Sequence, residues 1–155
     1  MKKVALIVAG GKGERMNADI PKQFLLLNNL PILMHTIKQF SHFEEIVLVL
    51  PKSQFDYWNG LCKNNNFTQI HILVEGGETR FHSVKNGLDK IDNTSVVAIH
   101  DGVRPLISTA LINNLVGETK SGRGVIPIIP VKNSIRKIEG ENSVHIDRSN
   151  LYKVQ

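Results

Sequence analysis

A single cysteine, Cys62, leaves no partner for an internal disulfide and no set of thiolates for a cysteine-based zinc site. The histidines at 35, 42, 71, 82 and 145 show no metal-ligand spacing. No apolar run approaches the ~18 residues of a membrane helix; the longest, residues 4–9, holds six. Met1-Lys2-Lys3 leads straight into that run and then into glycines. The longer apolar core and small-residue cleavage site of a secretory signal are missing, so the expectation is a cytoplasmic protein without a membrane partner. Aromatics are scarce, at 6%, and are not interleaved with the cations as a nucleic-acid track requires. Internal repeats and low-complexity stretches are absent too.

What is present is an ordinary globular composition over 155 residues, 41% hydrophobic and 21% charged, enough for one domain. The balance of 19 Lys+Arg against 14 Asp+Glu gives a net charge of +5. A solvated basic surface and an anionic partner both account for that sum. The positions say more: Lys12, Arg15 and Lys22 gather around a glycine-rich turn, whereas most other cations are scattered singly. This favours a phosphate site over nucleic acid.

Short apolar runs at 4–9, 45–50, 70–74, 96–100 and 125–130 read as strands buried on both faces. Helix-period segments lie between them: Leu33, Ile37 and Phe40; Phe55, Trp58 and Leu61 after a candidate cap at Ser53; Val84, Leu88 and Ile91 after Thr79; and Leu111, Ile112, Leu115 and Val116 after Ser108, closed by Gly122. Strands alternating with helices predict an α/β, Rossmann-like fold, a mostly parallel sheet flanked by helices. Residues 131–148 break the rhythm. They predict a protruding β-hairpin around a polar turn at 139–142, with too small an apolar face to stand alone in water. Such an arm needs another surface, possibly that of another subunit.

Three loops carry candidate chemistry. After the first strand comes Ala9-Gly10-Gly11-Lys12-Gly13-Glu14-Arg15-Met16, then Pro21-Lys22-Gln23-Phe24. Glycines here let backbone N–H groups approach phosphate oxygens, though a tight strand-to-helix turn uses the same residues. A Walker A loop is excluded because Gly13 follows Lys12, and a dinucleotide fingerprint because Met16 stands where its third glycine belongs. The fourth strand ends in His100-Asp101-Gly102-Val103-Arg104-Pro105. A carboxylate beside bound phosphates suits Mg²⁺, although Asp101 as a turn cap is the plainer alternative; His100 is read as a packing residue. Gly76-Gly77-Glu78-Thr79-Arg80 lies between the third strand and its helix, at the same sheet edge. Three such loops converging there make a nucleotide site.

These strings, joined to Gly76-Gly77-Glu78-Thr79-Arg80-x-x-Ser83, His100-Asp101-x-x-Arg104-Pro105 and Asp147-Arg148, resemble the signature of the 2-C-methyl-D-erythritol 4-phosphate cytidylyltransferases over essentially all 155 residues. The nearest alternative, ribitol-5-phosphate cytidylyltransferase, fits less well at 131–135 and at Asp147-Arg148. The resemblance implies an enzyme of non-mevalonate isoprenoid synthesis that joins CTP to a sugar-alcohol phosphate, releases diphosphate and requires Mg²⁺ or another divalent cation. By position, Ala9, Gly10, Gly11 and Gly13 would line the nucleotide, and Gly77, Glu78 and Ser83 would face cytosine and ribose. Arg15 and Lys22 would stabilise the transition state, with Asp101 as the candidate metal ligand. Asp101 and Arg104 would lie beside the acceptor, and Ser134 and Arg148 would reach its phosphate from the 131–148 arm of a partner in a homodimer. Family members continue through a Thr-Pro-Gln segment and a region with a further phosphate-binding Lys and an acidic metal ligand, and Gln155 stops short of it. The expectation is therefore one nucleotidyltransferase domain over 1–155, lacking its C-terminal part and nearly inactive alone. A non-catalytic nucleotide-binding module and a basic nucleic-acid-binding domain are the competing function classes. The first would bind CTP without releasing diphosphate, and the second would show steep salt dependence.

Overall fold

The computed structural model describes residues 1–10 and 20–154. In chain order, β1 (Lys3–Val8) is followed by a small hairpin of β2 (Leu26–Leu27) and β3 (Leu30–Pro31), then α1 (Ile32–Gln39). β4 (Glu45–Leu50), α2 (Phe55–Asn64), β5 (Ile72–Glu75), α3 (Arg80–Leu88), β6 (Val96–Asp101) and α4 (Thr109–Glu118) continue the alternation. β7 (Ile128–Pro130), β8 (Ile135–Glu139), β9 (Asn142–Ile146) and β10 (Tyr152–Val154) close it. The chain forms two compact units, Met1–Asn113 and Asn114–Gln155.

The first unit is built on a four-stranded parallel sheet in the order β5-β4-β1-β6. Its central strands are the uninterrupted apolar runs: Val4 to Ile7 and Ile46 to Leu50 are buried on both faces. Each such Leu or Ile side chain removes enough apolar surface to contribute about 1.5–3 kcal/mol. α3 lies against β1, β4 and β5, and Gly87 permits the approach, since a Cβ there would stand 2.3 Å from Leu6 Cδ1. Thr79 caps α3 by accepting the His82 N–H, and Ser108 Oγ accepts the Leu111 N–H at the start of α4, both as expected.

Other expectations are corrected. Ser53 is not a cap: Lys52–Gln54 form a 3-10 turn, and α2 begins at Phe55 without a side-chain cap. Gly122 does not close the fourth helix, which ends at Glu118; it sits at φ +72° in the turn joining Lys120 to Arg123. The run 125–130 does not join the parallel sheet. Only Ile128–Pro130 is extended, and it pairs antiparallel with Tyr152–Val154 in the second unit. Pro127 and Pro130 cannot donate to a ladder on both sides, which confines such a run to an edge. The small hairpin was not anticipated; Asn28 (φ 48°) and Asn29 (φ 61°) form its left-handed turn, a conformation asparagine tolerates.

The third strand starts at Ile72 rather than Ile70, which is 86% exposed. His71 is turned instead toward Trp58, the chain's one tryptophan and fully buried. Trp58 Nε1 donates to His71 Nε2 at 2.8 Å, and His71 Nδ1 lies 2.8 Å from the Gln69 carbonyl. Indole N–H is a donor only, so this arrangement requires a neutral ring with its proton on Nδ1. Burial pushes the His71 pKa below its ordinary value, partly offset by the bond to Gln69. A lowered folded-state pKa means this contribution is present in full above the unfolded value of about 6.5 and is lost as the pH falls through the folded one. Trp58 emission is therefore expected to hold steady near neutrality and to change below pH ~6.5, before global unfolding. In His71→Asn that early change should vanish. An unchanged spectrum down to the onset of unfolding would refute the coupling.

Candidate active site

In the chain's path the sheet grows from β1 to β4 and β5 on one side, then returns to place β6 on the other. Ligands of open α/β sheets bind at such a reversal, beyond the strands' carboxyl ends, here between β1 and β6. Three loops leave that edge at a common level. The first loop amide of each donates to the neighbouring strand: Ala9 N–H to Val49 O, Gly76 N–H to Leu50 O and Gly102 N–H to Val8 O, each at 2.9 Å. Two concavities among the described residues lie elsewhere, one of about 460 Å³ at the opposite sheet edge, around Phe43, Glu45 and Gln69, and one of about 350 Å³ beside β5 and α3. Neither contains the motif residues Asp101 or Ser83.

Ser83 organises two of the loops. The residue is 4% exposed, and its hydroxyl accepts the Gly77 N–H at 3.0 Å and donates to Gly77 O at 3.3 Å. A Cβ on Gly76 would come within 3.3 Å of that hydroxyl and one on Gly10 within 3.8 Å. Gly77 is tighter, because its Cβ would meet His82 Cβ at 2.4 Å. Ser83 is thus the peg on which Gly10 and the Gly76-Gly77 turn close. It shapes the turn with its hydroxyl already spent, while Glu78 beside it is exposed. Ala9 is buried at the end of β1. Gly11, Gly13 and Arg15 lie outside the described residues.

At the end of β6, Asp101 receives two guanidiniums. Arg80 Nη2 donates to Oδ1 at 3.0 Å and Arg104 Nε to Oδ2 at 2.9 Å. Partial burial pushes the Asp101 carboxyl up, and these two cations outweigh it, holding it below its ordinary value. The loop is fixed from beneath. Thr36, buried on α1, donates to Gly102 O at 2.8 Å, and His100 Nε2 bonds to Arg104 O at 2.9 Å. His100 packs on Phe40, its Nε2 is spent on the Arg104 carbonyl, and burial lowers its pKa. Each Asp101 oxygen accepts from one arginine, which leaves further lone pairs on the carboxylate. No trio of His, Cys, Asp or Glu placed to hold a metal occurs among the described residues.

Lys22 opens a 3-10 turn, Lys22–Phe24. Gln23 is fully buried there and donates to Gln54 Oε1 at 2.8 Å, while Phe24 stacks on Trp58. Gln23 Oε1 is buried without a partner, a cost of about 1–3 kcal/mol that the fold bears at the turn carrying Lys22. Gln23 and Arg80 stand in the quoted motifs without a role of their own, and Thr36 was not singled out from the sequence. Thr36 had a signal, a polar residue on the apolar stripe of Leu33, Ile37 and Phe40. Ser134 and Arg148 belong to the second unit, both exposed, before β8 and after β9. The hairpin there turns at Gly140 (φ +63°), and Arg136 donates across it to Ser143 Oγ and O at 2.8 and 2.7 Å.

Residues 3–155 match the model of the IspD family, 2-C-methyl-D-erythritol 4-phosphate cytidylyltransferase. The chain belongs to this family. A relative of that name from Azobacteroides pseudotrichonymphae is 48% identical, with 99% of this chain and 71% of that protein covered. One from Bacteroides fragilis is 45% identical, covering 100% and 72%. The crystal structure of Francisella tularensis IspD, 30% identical, superposes with a TM-score of 0.76 over 100% of this chain and 70% of that one. Because the family match runs through the second unit, the hairpin is a family element rather than an appendage. The relatives carry the methylerythritol name, which decides against the ribitol-5-phosphate alternative. No helix among the described residues is long and apolar enough to cross a membrane.

Proposed function

We propose that this IspD-family chain transfers the cytidylyl group of CTP to 2-C-methyl-D-erythritol 4-phosphate, giving the CDP-methylerythritol product and diphosphate for non-mevalonate isoprenoid synthesis. The observation carrying this reading is the family match over residues 3–155, laid on three loops that leave one sheet edge at the strand-order reversal. An acceptor phosphate oxygen attacks the α-phosphorus of CTP, and the bond to the bridging oxygen breaks so that diphosphate leaves with its electron pair. Both reactants are anions, so the protein's task is alignment and charge neutralisation. The turns at Gly10 and Gly77–Glu78 receive the nucleotide, Asp101 and Arg104 flank the acceptor, and Arg15 and Lys22 face the developing charge. Ser134 and Arg148 serve the acceptor's phosphate from the partner of a homodimer in the cytoplasm. A divalent cation would neutralise charge on the nucleotide's phosphates, with Asp101, held by Arg80 and Arg104, as the candidate carboxylate beside it.

The test is diphosphate release by the full-length protein with each nucleoside triphosphate and each acceptor. Turnover with CTP and methylerythritol phosphate is expected to exceed that with ATP or GTP by 10²-fold or more, the scale at which a hydrogen-bonding site rejects a wrong pattern. Comparable rates with a purine nucleotide would overturn the cytidylyl assignment. A preference for ribitol 5-phosphate would overturn the acceptor.

A further inference from the structure

We infer that Thr36 is a positioning residue for the acceptor side of the site, acting through the turn that carries Asp101 and Arg104. The inference rests on the cytidylyltransferase reading for the acceptor's identity, but its geometric half does not. Thr36 lies on α1 among Leu33, Met34 and Ile37, and all four are fully buried. A helical threonine in such a place ordinarily turns its hydroxyl back to the carbonyl four residues earlier. Here that contact, to Ile32 O, is the longer one at 3.3 Å, and the shorter, at 2.8 Å, leaves the helix for Gly102 O. A hydroxyl has one proton to give, so the Gly102 carbonyl is its acceptor.

Asp101 to Arg104 is a β-turn, closed by the Arg104 N–H on Asp101 O at 3.1 Å, with Gly102 and Val103 at its centre. Gly102 is wedged at the head of this turn. Its N–H donates to Val8 O at 2.9 Å, and a Cβ on it would stand 2.7 Å from Ala9 Cβ and 2.9 Å from Leu33 Cδ1. The bond to Val8 fixes the peptide before Gly102. The Thr36 bond fixes the peptide after it, the one that leads to Arg104. Glycine has the widest choice of φ and ψ, so the direction of its carbonyl needs a hold from outside the turn. The helix that supplies this hold is tied to the Lys22 turn as well, because the Ile32 N–H donates to Leu25 O at 2.9 Å, directly after Lys22–Phe24. Thr36 therefore sets the acceptor turn against the same support that carries Lys22. An in-line transfer needs that spacing held constant.

Two variants of the full-length protein separate position from packing. Thr36→Val keeps the branched shape and loses the hydroxyl, whereas Thr36→Ser keeps the hydroxyl and loses the methyl. Thr36→Val is expected to lower kcat/KM for the acceptor about tenfold or more, the scale of one buried hydrogen bond, while CTP affinity measured by calorimetry stays within about twofold. Thr36→Ser should recover most of the acceptor kcat/KM even though its melting temperature falls with the lost methyl. Activity that instead follows stability in both variants would make Thr36 a packing residue, and a CTP affinity weakened as much as the acceptor's would spread its effect over the whole site. Either result overturns the inference. If Thr36→Val does not fold, Thr36→Ser decides alone: retained acceptor kcat/KM at a lowered melting temperature supports the role, and a tenfold loss refutes it. The Gly102 carbonyl ¹³C resonance reads the hydrogen bond without turnover. It is expected to shift in Thr36→Val and to return in Thr36→Ser. If it does not move, the positioning role is wrong whatever reaction the protein catalyses. If it responds as expected while the unsubstituted protein shows no turnover of CTP, the functional reading alone has failed.

Discussion

Lys22→Ala in the full-length protein is expected to lower kcat about a hundredfold or more and to leave the KM for CTP within a few-fold. The asymmetry follows from how the site holds charge. Ground-state phosphates can be received by backbone N–H groups in glycine-rich turns. Charge that develops on the departing diphosphate needs a cation fixed in advance, because an ammonium that must be recruited at each turnover gives back its advantage as reorganisation. Lys22 has the anchoring for that duty. The turn bearing it is nailed down on one side by the part-buried Gln23–Gln54 bond and on the other by Phe24 against Trp58 and Tyr57. A near-normal kcat with a raised KM would show that Lys22 only binds nucleotide.

How much of this was legible beforehand depended on the range over which a residue acts. The central strands were plain because 4–9 and 45–50 are unbroken apolar runs and the fold buries both of their faces. Thr79 and Ser108 were legible as caps because a cap bonds within its own turn. Ser53 looked the same and is not one, since Pro51 opens a turn that the Gln54 N–H already closes on Pro51 O at 2.9 Å. The three glycine-bearing loops were legible from composition, and their convergence from the alternation of strands and helices. What stayed hidden were side chains acting across the fold. Thr36 reaches Gly102, Gln23 reaches Gln54 and Arg80 reaches Asp101, each pairing set by packing between elements rather than by local spacing. The magnesium role expected of Asp101 was read without the two arginines that hold it. A carboxylate at a strand's end signals a ligand site, but only the arginines arriving from elsewhere reveal what it is spent on.

Mixing full-length Lys22→Ala and Arg148→Ala proteins, each nearly inactive alone, is expected to restore about a quarter of the unsubstituted activity if arms are exchanged between the subunits of a two-fold pair. The motive lies in the second unit. Its β8–β9 hairpin is two-stranded, with Ile138 72% exposed and Val144 also open, and an isolated hairpin of that kind is marginal in water. Its internal tie, the Arg136 fork on Ser143, is polar and holds the strands together without burying either face. An arm built this way gains stability by docking, and the two-fold partner supplies an identical surface for it. Arg148, just past β9, would then bring a planar fork to the acceptor phosphate of the other subunit's site. In a mixed dimer one site carries both lesions and the other neither. Random exchange makes about half of the dimers mixed, each with half of its sites intact, hence the quarter. If the arm instead serves its own subunit, every site in the mixture keeps one lesion. Subunit exchange confirmed by differential tagging, with no return of activity, would therefore place Arg148 in its own subunit's site.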